Sequence, residues 1–265
     1  MAKKTDRRGA DAFDRHFAGI YGDRWPALRA ALASPPRPEA HLDGLVRPYY
    51  LDAASVRAAR ALKVRHGDTV LDLCAAPGGK TLVLALALAG TGRLTSNDRS
   101  ADRRGRLKTV IEEHLPEPWR ANIAVTGHDA SRWGLHEQNV YDRVLLDAPC
   151  SSERHVVRSA PHLAQWSPGR TRALAQQSLA MLCAALEALK PGGTLLYSTC
   201  SISPDENEAV LERFAAKRPG QWTLERQSLT LPDDAEGEGP LFYAVIQKSV
   251  EPSEGPSRSK GESSM

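Results

Sequence analysis

The residues of this chain best suited to covalent chemistry are its cysteines. There are four, Cys74, Cys150, Cys183 and Cys200, and no two have C-x-x-C spacing, which argues against a zinc site or a disulfide framework and favours reduced thiols. A cysteine thiolate is a strong nucleophile. Cys183 lies in the apolar run Leu-Cys-Ala-Ala-Leu and is interpreted as a small core residue. Cys150 and Cys200 each follow a strand-like segment and are the candidates for chemistry.

A glycine-rich segment at residues 72–81, Asp-Leu-Cys-Ala-Ala-Pro-Gly-Gly-Lys-Thr, predicts a nucleoside-binding loop. Its end matches the end of an ATP-binding Walker A motif, but Cys74 stands where that motif needs its first glycine, and no G-x-G-x-x-G is present. A Gly-Gly turn lets backbone N–H groups approach a ligand, and an acid about 20 residues on, here Asp98, is placed to hold a ribose. A nucleoside without a polyphosphate fits best, and S-adenosylmethionine is the common one. The alternative, a plain strand-to-helix turn and a surface acid, is disfavoured by the further acid Asp129.

Alternating strand and helix patterns position these residues. The predicted strands are residues 69–74, 93–98, 122–129, 142–149 and 194–200, followed by a pair at 222–227 and 241–248. The predicted helices are residues 53–62, 80–89, 101–114, 170–189 and 204–214, with a long loop after Cys150. This order predicts an α/β fold with a doubly wound, mostly parallel seven-stranded sheet, and ligands bind at the carboxyl ends of such strands. The acids and thiols expected at that edge are Asp98, Asp129, Asp147, Cys74, Cys150 and Cys200.

Thiols beside a methyl-donor pocket suit one difficult reaction, the methylation of carbon 5 of a cytosine. That carbon is a poor nucleophile until a thiolate adds to the neighbouring ring position, and a base must afterwards remove the carbon 5 proton. A free cysteine has a pKa of ~8.5, so a nucleophilic cysteine needs activation. For Cys200 we expect it from the amino terminus of the helix predicted to begin near Pro204. Cys150 follows Asp147 at the adjacent predicted strand end.

Three segments carry these groups in a fixed order. They are residues 72–81, the Asp-Ala-Pro-Cys of residues 147–150, and the Tyr-Ser-Thr-Cys-Ser of residues 197–201, with Pro-Asp-Glu-Asn-Glu at 204–208. Together they resemble the motif set of the RsmB/Nop/Sun family of RNA cytosine-5 methyltransferases, which implies a Rossmann-like class I methyltransferase fold. The resemblance implies Cys200 as the nucleophile and Cys150 as the base or release group. It also implies an S-adenosylmethionine pocket without a metal, lined by Cys74, Ala75, Ala76, Pro77, Gly78, Gly79, Lys80, Asp98, Asp129 and Asp147.

Within that family the chain is most similar to the branch that includes the mitochondrial small-subunit ribosomal RNA methyltransferase. The shared features are Tyr-Gly-Asp-Arg-Trp-Pro at residues 21–26, Tyr-Tyr-Leu-Asp-Ala-Ala-Ser at 49–55, and Ser152, where most members carry glycine. We expect an N-terminal helical extension in residues 1–48, broken by the proline-rich residues 34–38, a methyltransferase domain in residues 49–250 and a disordered tail in residues 251–265. This leaves no room for the separate RNA-binding domain of many relatives, so site selection is expected from the extension, a basic rim or a protein partner.

The charge distribution is compatible with RNA as the substrate, and ribosomal RNA is favoured. The net charge of +3 divides into −4 for residues 233–265, which hold seven acids and three bases, and +7 for the rest. The predicted phosphate contacts are Arg154, His155, Arg158 and His162, because the loop after Cys150 adjoins the expected site. For two other groups a solvated face or packing is an equal or better explanation. They are the bases Arg99, Arg103, Arg104, Arg106 and Lys108, and the aromatic residues Trp133 and Trp166.

No membrane association is expected, because no apolar run reaches the ~18–20 residues that cross a bilayer and the amino terminus lacks the pattern of a secretory signal. The high Ala and Arg content favours a bacterial, cytoplasmic protein, and a eukaryotic one would be mitochondrial. Three alternative functions remain: a transfer RNA cytosine-5 methyltransferase, a ribosome-assembly or RNA-binding factor without methyl transfer, and a methyltransferase for proteins or small molecules. The last leaves Cys150 and Cys200 without a role.

Overall fold

A seven-stranded sheet forms the centre of the computed structural model, which describes residues 8–41, 43–234 and 237–250. The strands in chain order are β1 (Glu39–His41), β2 (Tyr49–Leu51), β3 (Thr69–Asp72), β4 (Arg93–Asn97), β5 (Ile123–Thr126), β6 (Tyr141–Asp147), β7 (Leu189–Thr199), β8 (Trp222–Thr230) and β9 (Leu241–Lys248). The large sheet has the order β5-β4-β3-β6-β7-β9-β8. Strands β3 to β7 are parallel, and β9 and β8 extend the sheet in antiparallel fashion. The predicted doubly wound, mostly parallel seven-stranded sheet is therefore confirmed.

Helices cover both faces of this sheet. In chain order they are α1 (Ala10–Tyr21), α2 (Trp25–Ala33), α3 (Ala53–Ala61), α4 (Gly79–Leu88), α5 (Ala101–His114), α6 (Glu117–Arg120), α7 (Glu153–Val157), α8 (Ala160–Gln165), α9 (Pro168–Ala188) and α10 (Glu208–Lys217). Residues of α3, α4 and α5 form the core on one face, and residues of α9 and α10 form the core on the other. Among the helices described, none has both the length and the apolar character needed to cross a membrane.

The central strands are apolar at consecutive positions because both of their faces are buried. In β6, Val144 and Leu146 pack with α9, whereas Leu145 between them packs with the core of α4. Consecutive side chains of a strand point to opposite faces, so a strand covered on both sides needs apolar residues without a break. The same alternation in β7 sends Tyr197 to the α9 face and Leu196 to the α4 face. This is why these strands could be recognised from the sequence.

The start of the last helix was predicted wrongly. The helix expected from Pro204 begins at Glu208. Residues 204–207 form turns instead, in which the backbone N–H of Glu206 donates to Ser203 and that of Asn207 donates to Pro204. Residues 190–193, expected to separate a helix from a strand, lie within β7 and are skipped in its pairing with β6.

Short elements were missed. The loop expected after Cys150 contains the short helices α7 and α8, and the small antiparallel sheet of β1 and β2 was not predicted. Elements of three to six residues are too short to show a hydrophobic period in the sequence. The division at residue 48 stays a prediction, and the predicted disordered tail, residues 251–265, lies outside the described residues.

Aromatic packing joins the N-terminal helices to the segment after Cys150. The rings of Phe13 and Phe17 contact those of Trp25 and Trp166 at centroid distances between 5.2 and 5.9 Å. The hydroxyl of Tyr21 also donates to the carbonyl of Ile202 at 2.6 Å. Trp166 is only 3% exposed, so its predicted packing role is confirmed. The N-terminal helices α1 and α2 therefore pack against the segment that contains α7 and α8 and against Ile202.

Asn97 ties together the carboxyl ends of three strands. It is fully buried, and its Nδ2 donates to the carbonyls of Leu73 at 3.0 Å and His128 at 3.1 Å. Its Oδ1 accepts from the Thr126 hydroxyl at 3.0 Å and from the His128 N–H at 2.8 Å. All four hydrogen-bonding positions of the amide are thus used. One side chain connects the ends of β3, β4 and β5 and holds the loop that carries Asp98.

Replacing Asn97 with alanine should lower the free energy of unfolding by about 2–4 kcal/mol, because the buried backbone groups of Leu73 and His128 lose their partners. Urea denaturation followed by circular dichroism measures the change. Gln227→Ala, at an exposed position of β8, is the control and should stay within about 0.5 kcal/mol of the unsubstituted protein. A loss for Asn97→Ala no larger than that of the control would contradict the structural role given to this side chain.

Candidate active site

Two neighbouring strands bring the candidate thiols to one edge of the sheet. β6 ends at Asp147 and β7 ends at Thr199, and these strands are parallel neighbours. Cys150 and Cys200 lie in the loops that leave these strand ends. Cys74 follows the end of β3, which pairs with the other side of β6. The three cysteines expected at the carboxyl edge therefore lie there, whereas Cys183 lies in α9 and packs against the core.

Cys150 and Cys200 are in direct contact. Their Sγ atoms are 3.0 Å apart, and the backbone N–H of Cys200 points to Cys150 Sγ at 3.3 Å. The hydrogen bond from the Cys150 thiol lowers the pKa of Cys200, against the opposing effect of burial, and the Ser152 side chain acts in the same direction. The same hydrogen bond, together with burial, raises the pKa of Cys150. The pair therefore consists of a more acidic thiol at position 200 and a thiol that keeps its proton at position 150.

The expected activation of Cys200 by a helix amino terminus is not found. α10 begins at Glu208, and a helix dipole acts mainly on groups within its first turn. Between Cys200 and the start of α10, residues 204–207 form turns rather than a helix. The effect expected from the helix, a lower pKa of Cys200, comes instead from the contact with Cys150.

Lys80 and Asp147 form an ion pair beside Cys200. Lys80 Nζ lies 2.7 Å from Asp147 Oδ2, and the Ser198 hydroxyl donates to Asp147 Oδ1 at 2.8 Å. Burial disfavours the charge of Lys80, but the attraction of Asp147 outweighs it and raises the pKa of Lys80. Lys80, Asp147 and Cys200 line one cavity of about 540 Å³. A thiol, a hydrogen-bonding carboxylate and a cation thus surround the same space.

A second cavity of about 400 Å³ lies at the ends of β3, β4 and β5. Of the residues predicted to bind the cofactor, Cys74, Asp98 and Asp129 line it. Asp98 is 4% exposed, accepts the Ser100 N–H at 2.9 Å and forms an ion pair with Arg103 at 3.2 Å. The hydroxyl and N–H of Ser131 hold Asp129 and lower its pKa. Burial raises the pKa of Cys74, so this cavity presents a neutral thiol and two carboxyl groups.

Most of the glycine-rich loop lies outside the lining of these two cavities. Ala75, Ala76, Pro77, Gly78 and Gly79 are not among the residues that line either cavity, and Lys80 lines the first one. The Ala75 N–H donates to the Asn97 carbonyl at 2.8 Å. Gly78 has a φ of +123°, and a Cβ at this position would lie 2.9 Å from Val110 Cγ1 on α5. The turn therefore needs glycine for its backbone angle and for the packing of α4 on α5.

The basic residues divide into two groups by position. Arg154, His155 and Arg158 line the cavity of Cys200, whereas His162 lies farther along and bonds to the Ser159 hydroxyl at 2.6 Å. Of the bases at residues 99–108, Arg99 and Arg103 line the second cavity. Arg104 donates to the carbonyls of Asp98 and Arg99, and Arg106 and Lys108 are exposed.

Several polar residues at this edge were not singled out from the sequence. Asn97 and His128 line the second cavity, and each directly precedes a predicted acid. Ser198, which holds Asp147, lies in the Tyr-Ser-Thr-Cys-Ser segment. Glu153 and Glu206 are fully buried behind the thiols, and no sequence signal separates a buried glutamate from an exposed one. Within the described residues no group of three or more His, Cys, Asp or Glu side chains could hold a metal ion.

Asp72, at the end of β3, is a buried acid without a cation of its own. It is 1% exposed, its Oδ2 accepts the Thr81 hydroxyl at 2.7 Å, and its Oδ1 has no hydrogen-bond partner among the described residues. Burial raises the pKa of Asp72 to about 7. This carboxyl group therefore holds a proton well above the pH at which an exposed aspartate loses it.

The chain is similar in sequence to proteins named as RNA cytosine-5 methyltransferases. A family model described as 16S rRNA methyltransferase RsmB/F matches residues 59–243. The 5-cytosine rRNA methyltransferase NSUN4 of Mus musculus is 42% identical over 188 residues, which cover 69% of this chain and 49% of that protein. The mitochondrial tRNA (cytosine(34)-C(5))-methyltransferase of Danio rerio is 40% identical over 235 residues, which cover 79% of this chain and 63% of that protein.

A solved structure of a protein named NSun6 is also similar to this chain. The crystal structure of NSun6 from Pyrococcus horikoshii with SFG has a TM-score of 0.67 and 26% identity, and the match covers 82% of this chain and 57% of that one. The chain spans only about half to two thirds of the length of the relatives described here.

Asp72→Asn should change how stability depends on pH. The folded protein keeps a proton on Asp72 up to about pH 7, whereas the unfolded chain releases it near pH 4. The stability from this proton is complete below about pH 4 and is lost as the pH rises through 7. Relative to Asp72→Asn, the unsubstituted protein should therefore lose up to about 1.4 kcal/mol of unfolding free energy per pH unit between these values.

Urea denaturation at several pH values between these limits checks this prediction. Asp102→Asn, which removes an exposed acid from α5, is the matched control and should follow the unsubstituted protein. If the curve of Asp72→Asn also runs parallel to that of the unsubstituted protein, Asp72 does not hold the proton.

Proposed function

Because the chain belongs to the 16S rRNA methyltransferase RsmB/F family, we propose that it is an S-adenosylmethionine-dependent RNA cytosine-5 methyltransferase, with ribosomal RNA as the favoured substrate. The observation that carries this proposal is the 3.0 Å contact between the Sγ atoms of Cys150 and Cys200, beside the ion pair of Lys80 and Asp147. Methylation at carbon 5 needs a thiolate and a second group that accepts a proton. These two thiols provide both.

The cavity of about 400 Å³ is the proposed S-adenosylmethionine site. Its residues fit a nucleoside, because Asp98 Oδ2 is buried beside the Arg103 guanidinium, accepts no hydrogen bond among the described residues and is suited to ribose hydroxyls, while Leu73, Ala130 and Met181 offer an apolar wall for a base. When bound, the cofactor supplies the methyl group as an electrophilic sulfonium. Asp129 completes the polar side of this cavity.

Cys200 is the proposed nucleophile. Its thiolate, favoured by the hydrogen bond from Cys150, forms a bond to carbon 6 of the target cytosine, and the electron pair of the ring double bond becomes available at carbon 5. Asp147 is held by Lys80 and Ser198 and lies in the same cavity, where its carboxylate can hydrogen-bond to the edge of the base. The target base has to be unpaired or flipped out to enter this cavity.

Cys150 is the proposed base of the release step. It takes the proton from carbon 5, the electron pair of that bond restores the ring double bond, and Cys200 leaves as a thiolate. While Cys200 is a free thiolate, its hydrogen bond holds the proton on Cys150. After Cys200 has bonded to the base, it no longer accepts this hydrogen bond as a thiolate, so Cys150 releases its own proton to solvent and the resulting thiolate can accept the proton from carbon 5. The contact between the thiols thus orders the two steps.

Arg154, His155 and Arg158 are proposed to bind the phosphates of the RNA. All three line the cavity of Cys200, and the Nε of Arg154 has no hydrogen-bond partner among the described residues. Burial lowers the pKa of Arg154 and outweighs the opposing effect of Asp52, and among the described residues Arg154 forms no ion pair. Choice of the target site is proposed to involve the N-terminal helices or a protein partner. The proposed compartment is the bacterial cytoplasm, or the mitochondrion if the source is eukaryotic.

Transfer RNA is the second candidate substrate. The Danio rerio relative is named for this activity, and it matches a larger share of the chain than the Mus musculus relative does. A methyltransferase for proteins or small molecules would leave the contact of Cys150 and Cys200 without a use. A factor without methyl transfer would not need the ion pair and the two thiols in one cavity.

Cys150→Ala should accumulate a covalent adduct between protein and RNA, because attack by Cys200 remains possible while release is blocked. Cys200→Ala should form no adduct. Denaturing gel electrophoresis after incubation with S-adenosylmethionine and RNA measures both. Cys183→Ala, which removes a cysteine of α9 outside the site, is the control and should resemble the unsubstituted protein. Equal adduct from Cys150→Ala and Cys200→Ala would overturn the two assigned roles.

Deletion of the gene should remove 5-methylcytosine from ribosomal RNA. Bisulfite sequencing of all RNAs with and without the gene locates the lost position, and complementation should restore it with the unsubstituted protein but not with Cys200→Ala. Loss at a transfer RNA position instead would establish the second candidate substrate. If no position is lost, the factor without methyl transfer becomes the better explanation.

A further inference from the structure

Two glutamates are buried together behind the thiols and have no part in the steps above. Glu153 is the first residue of α7 and is 0% exposed, and Glu206 precedes α10 and is 1% exposed. Neither takes part in the ion pairs formed among the described residues. Isolated charges in such surroundings are strongly disfavoured. A pair of carboxyl groups without a cation therefore needs an explanation.

Both carboxyl groups meet at the serines that follow the two cysteines. Ser151 donates its N–H to Glu206 Oε2 at 2.9 Å, and its Oγ lies 3.0 Å from the same oxygen. The Ser151 Oγ also contacts Glu153 Oε1 and lies 3.2 Å from Ser201 Oγ. Glu153 in turn accepts the N–H of Ile202 at 3.0 Å. The two carboxyl groups thus bridge the loop after Cys150 and the loop after Cys200.

A count of hydrogens shows that this network has fewer hydrogens than contacts if both glutamates are ionised. The hydroxyl oxygens of Ser151 and Ser201 take part in four oxygen–oxygen contacts, with Glu153, with Glu206, with each other, and between Ser201 and Glu153 at 3.4 Å. Two hydroxyl groups have only two hydrogens to donate. A proton on one carboxyl group supplies a third. In addition, Glu206 Oε1 is buried without a hydrogen-bond partner among the described residues, as suits the uncharged form of that group.

We propose that Glu153 and Glu206 share one proton and act as positioning residues, which hold the loops of Cys150 and Cys200 together with a single negative charge. The proposal rests on the roles given to the two cysteines above. Both carboxyl groups contact the hydroxyl oxygen of Ser151, so two negative charges there would repel each other strongly. Other carboxyl pairs avoid this cost by sharing a proton. The second charge would also oppose ionisation of the cysteine pair, because the charge of Glu206 disfavours a thiolate at Cys150 and that of Glu153 disfavours one at Cys200.

The electrostatic environment agrees with this geometry. Burial, followed by the charge of Glu153, raises the pKa of Glu206 to about 7, and burial raises the pKa of Glu153. The charge of Glu153 disfavours the thiolate of Cys200, and both glutamates disfavour that of Cys150. The other titratable groups that face this region are Tyr21 from α1, Asp147 at the end of β6, Tyr197 from β7, Asp205 beside Glu206, and Glu208 and Arg213 from α10.

Glu206→Gln should make Cys200 more reactive above neutral pH. The amide oxygen can still accept the Ser151 N–H, but the second negative charge can no longer form. We expect iodoacetamide to alkylate Cys200 roughly threefold to tenfold faster than in the control at a pH of about 8, because one pKa unit is a tenfold change in the thiolate fraction. Mass spectrometry of tryptic peptides separates Cys200 from the other cysteines. The matched control is Asp205→Asn, which removes the neighbouring, exposed acid.

Infrared spectroscopy detects the proton itself. The carbonyl band of a protonated carboxylic acid should be present in the unsubstituted protein and in Asp205→Asn below pH 7, and should weaken as the pH rises. It should be reduced in Glu206→Gln and in Glu153→Gln, while the band of Asp72 persists in all of them. The Glu153→Gln variant keeps the test decisive if Glu206→Gln does not fold.

Either of two results would overturn the proposal. One is an equal alkylation rate of Cys200 in Glu206→Gln and Asp205→Asn across the pH range. The other is a carbonyl band that is the same in all variants. Neither measurement uses RNA or S-adenosylmethionine, so a failure of the proposed methyl transfer would leave both readouts intact and would be recognised separately.

Discussion

The register between β6 and β7 is the constraint on which the rest of the site depends. Parallel pairing places Asp147 opposite Ser198, and the chain reaches Cys150 and Cys200 soon after these two positions. Neighbouring strands lie only about 4.8 Å apart, so loops that leave adjacent parallel ends begin close together. A slip of one residue would send the side chains of one strand to the opposite face. The contact between the two thiols and the bond from Ser198 to Asp147 would then both be lost.

Burial makes the charges of Lys80 and Asp98 at this edge depend on a partner. Lys80 keeps its charge because Asp147 compensates for its burial, and Asp98 lies beside Arg103. Within the described part of the chain Asp72 has the hydroxyl of Thr81 as its hydrogen-bond donor, and burial raises its pKa to about 7. Negative charge near the thiol proposed to ionise is therefore either paired with a cation, as in Asp147, or reduced by a retained proton, as in Asp72. Proton sharing by the buried glutamates, as proposed above, extends this arrangement to the layer behind the thiols.

Much of the fold could be predicted because its central strands are buried on both faces. Such strands carry consecutive apolar residues, as at Val144 to Leu146, and helix α5 begins at Ala101 and ends at His114, the bounds expected from the sequence. The start of α10 could not be predicted, because Pro204 and the acids after it are typical of a first helical turn yet form turns here. The bonds of Thr199 and Ser201 to Asn207 belong to the tertiary structure, and they hold this segment against the end of β7.

The sequence by itself determined which side chains could do chemistry, since a thiol, a carboxylate or a Gly-Gly turn has its character wherever the chain places it. It also determined the strand ends at which these groups lie, because strand and helix periods are local. Only the tertiary structure decided which thiol is the more acidic and which carboxyl groups keep a proton. A pKa depends on burial and on neighbours within a few ångströms, and Cys150 and Cys200 are 50 residues apart in the chain. A local sequence pattern cannot show that two residues 50 positions apart are in contact.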